Sequence, residues 1–404
     1  MIPDSELLDS ILEALDLSRA EPGVGFLQAL FARFNARVPF ENASKIVRDA
    51  EVSEANAKPR TPEIFWADHI AAGTGGTCFA RVAAFDALLQ ALGFPARRLL
   101  GRVERDDDHA ALAIASPAGE SIADVGFPLP ALLPARPGSV ETALGELLVA
   151  STDRGLSVAF VGGVPEGPRA LEIFLAPVTE ERFLELWRQT FRPGARFLTR
   201  VVLRKDFGNR VVSYANGEVR VDDLHSRLRI PLREPRAAAL SDLFGIDAEI
   251  LSRAFAICGE DPAPVPEASL TAYLEVAASP QEAFAAIATS AGYRRLVQGV
   301  ADVVSEDPTE AGFRLTLAAP GDAAPPTVDE VSPAIAERRL RLERRTGTAT
   351  LTSSYGVDAR GGKTYLIREA ALAGAREDLL RNDSMRGRLA GMLALDLLAW
   401  ARML

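Results

Sequence analysis

The sequence predicts an α+β protein of more than one domain, and three observations carry that prediction. Helical spacing dominates the first ninety or so residues, short strands follow, and a separate block of strand, helix, strands and long helix begins after a proline-rich break. The chain has 404 residues, 48% of them apolar and 25% charged, which is ordinary for globular protein and enough for more than one core.

Residues 5–35 and 78–92 have helical periodicity; in the second segment Phe79, Val82, Leu88, Leu89 and Leu92 share a face before Gly93 and Pro95 stop the helix. The runs "ARRLLGRV", "HAALAIAS" and "ESIADVGF" read as strands, the last two joined through the turn "PAG", and "GARFLTRVVLRKDF", "NRVVSYANG" and "EVRVDD" read as later strands. "VTEERFLELWRQT" interrupts them as a helix, and "ALSDLFGIDAEILSRAFAI" closes the region as helix. The break "GEDPAPVPEAS" loses all periodicity over three prolines, so the expected domains are 1–258 and 269–404 with a linker at 259–268. Past it, "LTAYLEV" alternates as a strand, Ser279 and Glu282 form a capping box, and a helix to about Tyr293 follows. The strands "GFRLTLAA", "AIAERRLRLERR", "TATLTSSYGV" and "KTYLIREAAL" then lead to a long helix from about Asn382 to Leu404. On that helix Met385, Leu389, Met392 and Leu393 make the expected apolar face, with Asp396 on the same stripe, where a carboxylate either contacts a cavity ligand or pairs internally.

Composition excludes several classes of function. A net charge of −10 argues against nonspecific binding to nucleic acid or to anionic membrane. The first residues are acidic and amphipathic, unlike a signal peptide, and no apolar run approaches membrane-spanning length. Cys78 and Cys258 are far apart and only three histidines exist, so neither a disulfide framework nor a zinc cluster is expected. A cytoplasmic protein without a metal, acting on small molecules, is the expectation. "GVDARGGKT" misses phosphate-loop spacing by one residue and sits between strands, the wrong context for that motif.

The chemistry concentrates at "GTGGTCF", residues 73–79. A free cysteine is usually a small buried hydrophobe, but it becomes a nucleophile where a helix N-terminus and an imidazolium favour its thiolate. Cys78 opens a helix directly after Gly75 and Gly76; His109 starts one strand of the hairpin, and Asp124 lies in the other. With Ala111 opposite Asp124, His109 and Asp124 become diagonal neighbours on one face, and that is the register expected. Asp124 also interrupts an apolar strand, where a carboxylate is costly without a partner. His69 in its aromatic helix, His225 after two aspartates and Cys258 at a helix end read as structural or surface residues.

The pieces "RVPFENASKI", "GGTCF" with its helix, "HAALAIAS" and "IADVGF" stand in the order of the arylamine N-acetyltransferases, and residues 1 to about 256 resemble that family. The resemblance implies a helical bundle (1–92), a β-barrel (93–200) and an α/β lid (201–258) around a cysteine-protease-like core. It implies a catalytic triad of Cys78, His109 and Asp124 in which acetyl-CoA or another acyl-CoA acylates the cysteine and an arylamine-like amine accepts the acyl group by a ping-pong route. Gly76, Phe79, Val125, Gly126 and Phe127 are the candidate substrate or oxyanion contacts. Thr74 and Thr77 stand where that family usually carries an arginine and a bulky residue, and Pro128 where a glycine is usual. Residues 268–404 resemble the helix-grip superfamily of START and polyketide cyclase-like proteins (SRPBCC), which implies an antiparallel sheet around a long helix and a hydrophobic small-molecule ligand. Two other readings stay open: an amide synthase taking acyl groups from an acyl carrier protein, and a non-catalytic binder of hydrophobic ligands.

Overall fold

The computed structural model of the chain describes residues 5–116, 119–161, 170–232, 236–259, 268–298, 301–318, 326–346, 349–360, 362–372 and 378–404. They form two compact units, the first within 5–161, 170–220 and 232–259, the second comprising 221–231 and the described residues from 268 onward. Most of the expected linker, and the centre of the "PAG" turn, lie outside the described residues.

The first unit begins with four helices, Ser5–Ala14, Val24–Arg37, Ala43–Glu51 and Pro62–Ala72, ahead of the helix Cys78–Ala91. Local chemistry sets the ends of Pro62–Ala72: the Thr61 side chain caps its start, Pro62 occupies the first turn, and Gly73 closes it in the left-handed region at φ 65°. A substituent on Gly73 would also collide with the Gly245 carbonyl, so two requirements meet at that residue. The helix Cys78–Ala91 has no polar face, since every residue from Cys78 to Leu89 is buried. That fits a helix at the centre of a core, here Leu30, Phe34, Trp66, Phe85, Leu88, Phe183 and their neighbours.

An antiparallel eight-stranded sheet follows, in the spatial order Leu133–Pro134, Gly119–Ala123, Asp106–Ser116, Ala96–Arg102, Ala170–Phe174, Gly155–Val161, Gly145–Ser151, Gly138–Thr142. This is the barrel-like part, and the last four strands of that order, with Leu133–Pro134, were not among those expected. The strand Asp106–Ser116 is buried on both faces: Ala110, Leu112 and Ile114 pack into the helical core, Ala111 and Ala113 into a second core with Leu99, Ile122, Leu147 and Ile173. The helix Glu180–Gln189 matches expectation. In "GARFLTRVVLRKDF" only Val202–Asp206 is strand, preceded by a 3₁₀ turn at Arg196–Leu198. The closing helix is two helices, Arg236–Phe244 and Ala248–Cys258, because Gly245 takes φ 75° and Asp247 caps the second.

In the second unit all strand pairs are antiparallel, in the order Ser226–Pro231, Ser269–Val276, Lys363–Ala371, Ala349–Arg360, Arg339–Thr346, Thr327–Ala334, Gly312–Ala318, Asp302–Thr309. The helix Asp383–Ala401 packs on Ser269–Val276 and Lys363–Ala371. Ser226–Pro231, within the region expected as the lid, stands between Glu218–Asp222 and Ser269–Val276 in the strand order and pairs antiparallel with the latter. The expected helix to Tyr293 divides into Pro280–Ala285 and Ser290–Val297, Thr289 capping the second. On the long helix Leu393 packs against the core and Leu397 and Trp400 continue the row, while Met392, expected on that face, is 63% exposed. Burying the largest ring decides the rotation, and the Trp400 indole donates to the Ala283 carbonyl at 2.9 Å. Asp396 pairs internally, accepting from Arg368 Nε at 3.0 Å and from the Tyr355 hydroxyl at 3.3 Å.

Candidate active site

Hairpin register brings the first two candidate residues together. Leu112 lies opposite Ala123 and Ala113 opposite Ile122, so the count continues to Ala111 opposite Asp124, as expected. His109 Nε2 then meets Asp124 Oδ2 at 2.8 Å, both side chains almost wholly buried. That hydrogen bond leaves Nδ1 as the ring nitrogen for the thiol side. Asp124 has a second anchor: its Oδ1 accepts the Phe127 backbone N–H at 2.8 Å. Leu129 N–H closes the turn onto the Asp124 carbonyl at 3.1 Å, so Pro128, which has no N–H, sits where the turn does not need one.

Cys78 is 7% exposed at the first turn of its helix, with Sγ 3.9 Å from the carbonyl of Asp108, the residue before His109. Gly126 shows how closely these groups pack. A Cβ there would lie 2.9 Å from the Cβ of Cys78, 3.0 Å from His109 Cε1 and 2.4 Å from the Ala110 carbonyl, so only glycine fits between the two residues. Burial alone would lower the pKa of His109; the Asp124 carboxylate, through its charge and its hydrogen bond, and the Cys78 side chain outweigh this and raise it to about 10. The imidazolium is the favoured form of this ring at neutral pH.

Two of the weaker candidates have their backbone donors committed within the fold. The Gly76 N–H donates to the Pro39 carbonyl at 3.4 Å and the Phe127 N–H to Asp124, so both backbone donors are engaged within the fold. The Phe79 ring packs edge-on to Phe183 with centroids 5.1 Å apart, and the Val125 carbonyl accepts from Arg81 Nε at 2.6 Å, a bond that does not use the Val125 N–H. What remains near Sγ are the first N–H groups of the helix itself, which have no partner within a helix, beside the close approach of Gly126.

Residues without an expected role complete the site. Arg81, fully buried, holds the Val125 carbonyl, the Asn35 side chain at 2.8 Å and the Val38 carbonyl, and lies over the Phe34 ring at 4.8 Å; burial lowers its pKa to about 9. A charge within the apolar run "CFARVAAF" was the available signal. Lys45 donates to Thr190 at its carbonyl (2.8 Å) and hydroxyl (2.9 Å), and burial lowers its pKa to about 8. Asn42 ties the N-terminal helices to the 3₁₀ turn through the Phe197 and Arg200 carbonyls and the Val202 N–H. His69 is structural, as expected: buried, donating from Nδ1 to the Thr74 carbonyl at 2.8 Å, with a pKa lowered by burial to about 4. His225 is an exposed turn residue and Cys258 is half-buried at its helix end. A cavity of about 220 Å³ lined by Phe31, Asn35, Leu129, Pro130, Asp206 and Phe207 lies beside the turn after Asp124, but Cys78, His109 and Asp124 do not line it.

The sequence profile of the N-acetyltransferase family matches residues 24–144. The chain is 32% identical over 120 residues to an arylamine N-acetyltransferase of Mycolicibacterium smegmatis, and 31% identical over 115 residues to one of Escherichia coli K12. Each match covers 27% of this chain, so the chain spans 42% and 38% of the lengths of these curated relatives. The solved structure of Mycobacterium marinum arylamine N-acetyltransferase in complex with CoA superimposes with a TM-score of 0.53 at 20% identity, covering 62% of this chain and 99% of that one. The N-terminal region has the arylamine N-acetyltransferase fold. The family profile and the curated relatives support that family for part of this region, and the solved structures share its fold. Among the described residues no helix is long and apolar enough to cross a membrane, and no three His, Cys, Asp or Glu side chains gather as a metal site.

Proposed function

We propose that the protein is an N-acyltransferase that moves an acyl group, acetyl in the simplest case, from a coenzyme A thioester through acyl-Cys78 to an arylamine-like amine. The observation carrying this reading is the buried 2.8 Å contact of His109 Nε2 with Asp124 Oδ2 beside the Cys78 side chain. In the first half-reaction the Cys78 thiolate attacks the thioester carbonyl, the bond to the coenzyme A sulfur breaks, and the His109 imidazolium gives its proton to the departing thiolate. In the second, the amine nitrogen attacks acyl-Cys78, neutral His109 takes the nitrogen's proton, and Cys78 leaves as thiolate. Asp124 orients the ring and stabilises its charged form throughout. The likeness of fold to a protein solved with CoA supports the choice of donor.

The test is intact-mass spectrometry of the full chain after mixing with acetyl-CoA. An acetyl adduct that disappears in Cys78→Ala and transfers to an added arylamine is the expected result; an adduct that persists in Cys78→Ala overturns the assignment. Loading from an acyl carrier protein but not from coenzyme A would move the reading to an amide synthase. The hydrophobic ligand expected of the second unit belongs to the same proposal. Two tyrosine hydroxyls, Tyr293 and Tyr355, lie inside its apolar core with ring centroids 6.2 Å apart, and native mass spectrometry of the full chain would find a bound lipid-like molecule or none.

A further inference from the structure

Three residues before Cys78, the backbone is held by charge. Arg60, only 5% exposed, extends from the segment before the helix Pro62–Ala72: Nη1 donates to the Thr74 hydroxyl at 3.3 Å, and Nη2 donates to the Gly75 carbonyl. The Glu41 carboxylate, fully buried, accepts the Gly75 N–H at 3.1 Å. Gly75 is therefore gripped at its N–H by an acid and at its carbonyl by a guanidinium. Other groups of the loop are engaged as well: the Thr74 carbonyl by His69, the Gly76 N–H by the Pro39 carbonyl and the Gly76 carbonyl by the Glu41 N–H at 3.2 Å. Side chains at these glycines would destroy the fit. A Cβ on Gly75 would sit 1.8 Å from the Pro39 carbonyl oxygen, and one on Gly76 would sit 3.2 Å from Arg60 Nη2. Arg60 has one further polar partner on its own side, Asp68 at 3.1 Å, itself 44% exposed, and its guanidinium lies over the Phe65 ring at 5.0 Å.

A buried guanidinium spends much of its hydration, so committing one to two groups of a short loop is an expensive way to make a turn that glycines could make unaided. The loop is also the segment that sets where the helix Cys78–Ala91 begins, and hence where Sγ stands relative to His109. We propose that Arg60 is a positioning residue for Cys78, acting with Glu41 as a clamp on the Gly75 peptide that holds the thiol at its attack position. The proposal rests on the acyl-transfer reading for its catalytic consequence, but the geometry of the clamp does not.

The test compares Arg60→Lys and Arg60→Ala with wild type in the full chain. Three quantities are measured: the single-turnover rate of Cys78 acetylation from acetyl-CoA, the donor concentration giving half that rate, and the rate of iodoacetamide labelling at Cys78. Displacing a reacting atom by about 1 Å costs on the order of 100-fold, so Arg60→Ala should lose about 10- to 100-fold in acetylation rate with the half-saturating donor concentration nearly unchanged. Arg60→Lys, which keeps a charge but not the fork, should lie between, and added methylguanidinium should restore part of the Arg60→Ala loss. Folded Arg60→Ala acetylating within about twofold of wild type, or a loss that methylguanidinium and lysine both leave untouched, overturns the clamp. Should Arg60→Ala fail to fold, Arg60→Lys decides by the same measures. Should wild type accept no acetyl group at all, the acyl-transfer reading fails alone; the clamp still requires iodoacetamide labelling to slow in the order wild type, Arg60→Lys, Arg60→Ala, and equal labelling rates overturn it.

Discussion

Two sets of buried charge, one in each unit, are arranged in opposite ways. In the second unit the charges close on one another: Asp329, fully buried, takes Arg344 through Nε at 2.7 Å and Nη2 at 2.8 Å and the Tyr293 hydroxyl at 2.9 Å. In the first unit Arg60, Arg81 and Glu41 are turned instead onto backbone groups of Gly75, Val125 and Val38, and onto the loops that carry Cys78 and Asp124. A closed set satisfies its own desolvation and specifies a core. An open set holds the backbone in place around a reacting group. The contrast can be broken or sharpened by substitutions in each set.

The largest effect belongs to Asp124→Asn, which keeps the shape of the His109 contact and removes its charge. An amide in this role fixes the wrong tautomer and cannot stabilise the imidazolium; the same change in a serine triad costs about 10⁴-fold in turnover, and about 10³- to 10⁴-fold in acetyl transfer is expected here. A pH signature accompanies it. With His109 raised to about 10, the native state binds a proton that the unfolded chain, titrating near 6.5, releases. That contribution to stability is complete below about pH 6.5 and is lost as pH rises towards 10. Asp124→Asn should flatten the thermal stability of the first unit over that window, measured by calorimetry at a series of pH values. A pH dependence identical to wild type would show that the His109–Asp124 pair is not charged in the folded protein.

The corresponding change in the closed set, Asp329→Asn, strands Arg344 and weakens the anchor of Tyr293. Removing one member of a buried pair typically costs about 3 to 5 kcal/mol. Arg344 is a third exposed and can recover part of its hydration, so about 2 to 3 kcal/mol is expected, read as a lowered unfolding transition with acetyl transfer by the first unit unchanged. A fall in transfer rate with no loss of stability would contradict the division between closed and open sets.

How far the sequence alone reached follows the same division. Cys78, His109 and Asp124 were legible because each broke a local rule: a cysteine after paired glycines, a histidine and an aspartate inside apolar strands whose register could be counted. Arg81 left a signal of the same kind that went unread. Arg60 left none, because its contacts are made 14 and 15 positions further along, across a helix whose position only tertiary packing decides. In the fold, periodicity found most helices but not the split at Gly245, where one residue in the left-handed region outweighs the apolar pattern around it. Ser226–Pro231 falls within the region expected as the lid, yet it also pairs with Ser269–Val276 beyond the proline-rich break; strand partners are set by edges that a local pattern does not display.

The smallest effect separates closed sets by exposure. Asp396 is 36% exposed, and its partner Arg368 keeps other acceptors, the Glu369 carbonyl at 2.9 Å and the Ser354 carbonyl at 3.4 Å, as well as the Tyr355 ring 4.4 Å below its guanidinium. Asp396→Asn retains an oxygen for Arg368 Nε and for the Tyr355 hydroxyl, and water reaches the site. The lost charge should therefore cost no more than about 1 kcal/mol, measured by chemical denaturation with the denaturant slope unchanged. A loss as large as that of Asp329→Asn would mean that Asp396 works as a buried charge in solution, with the long helix packed more tightly over the sheet than its exposure indicates.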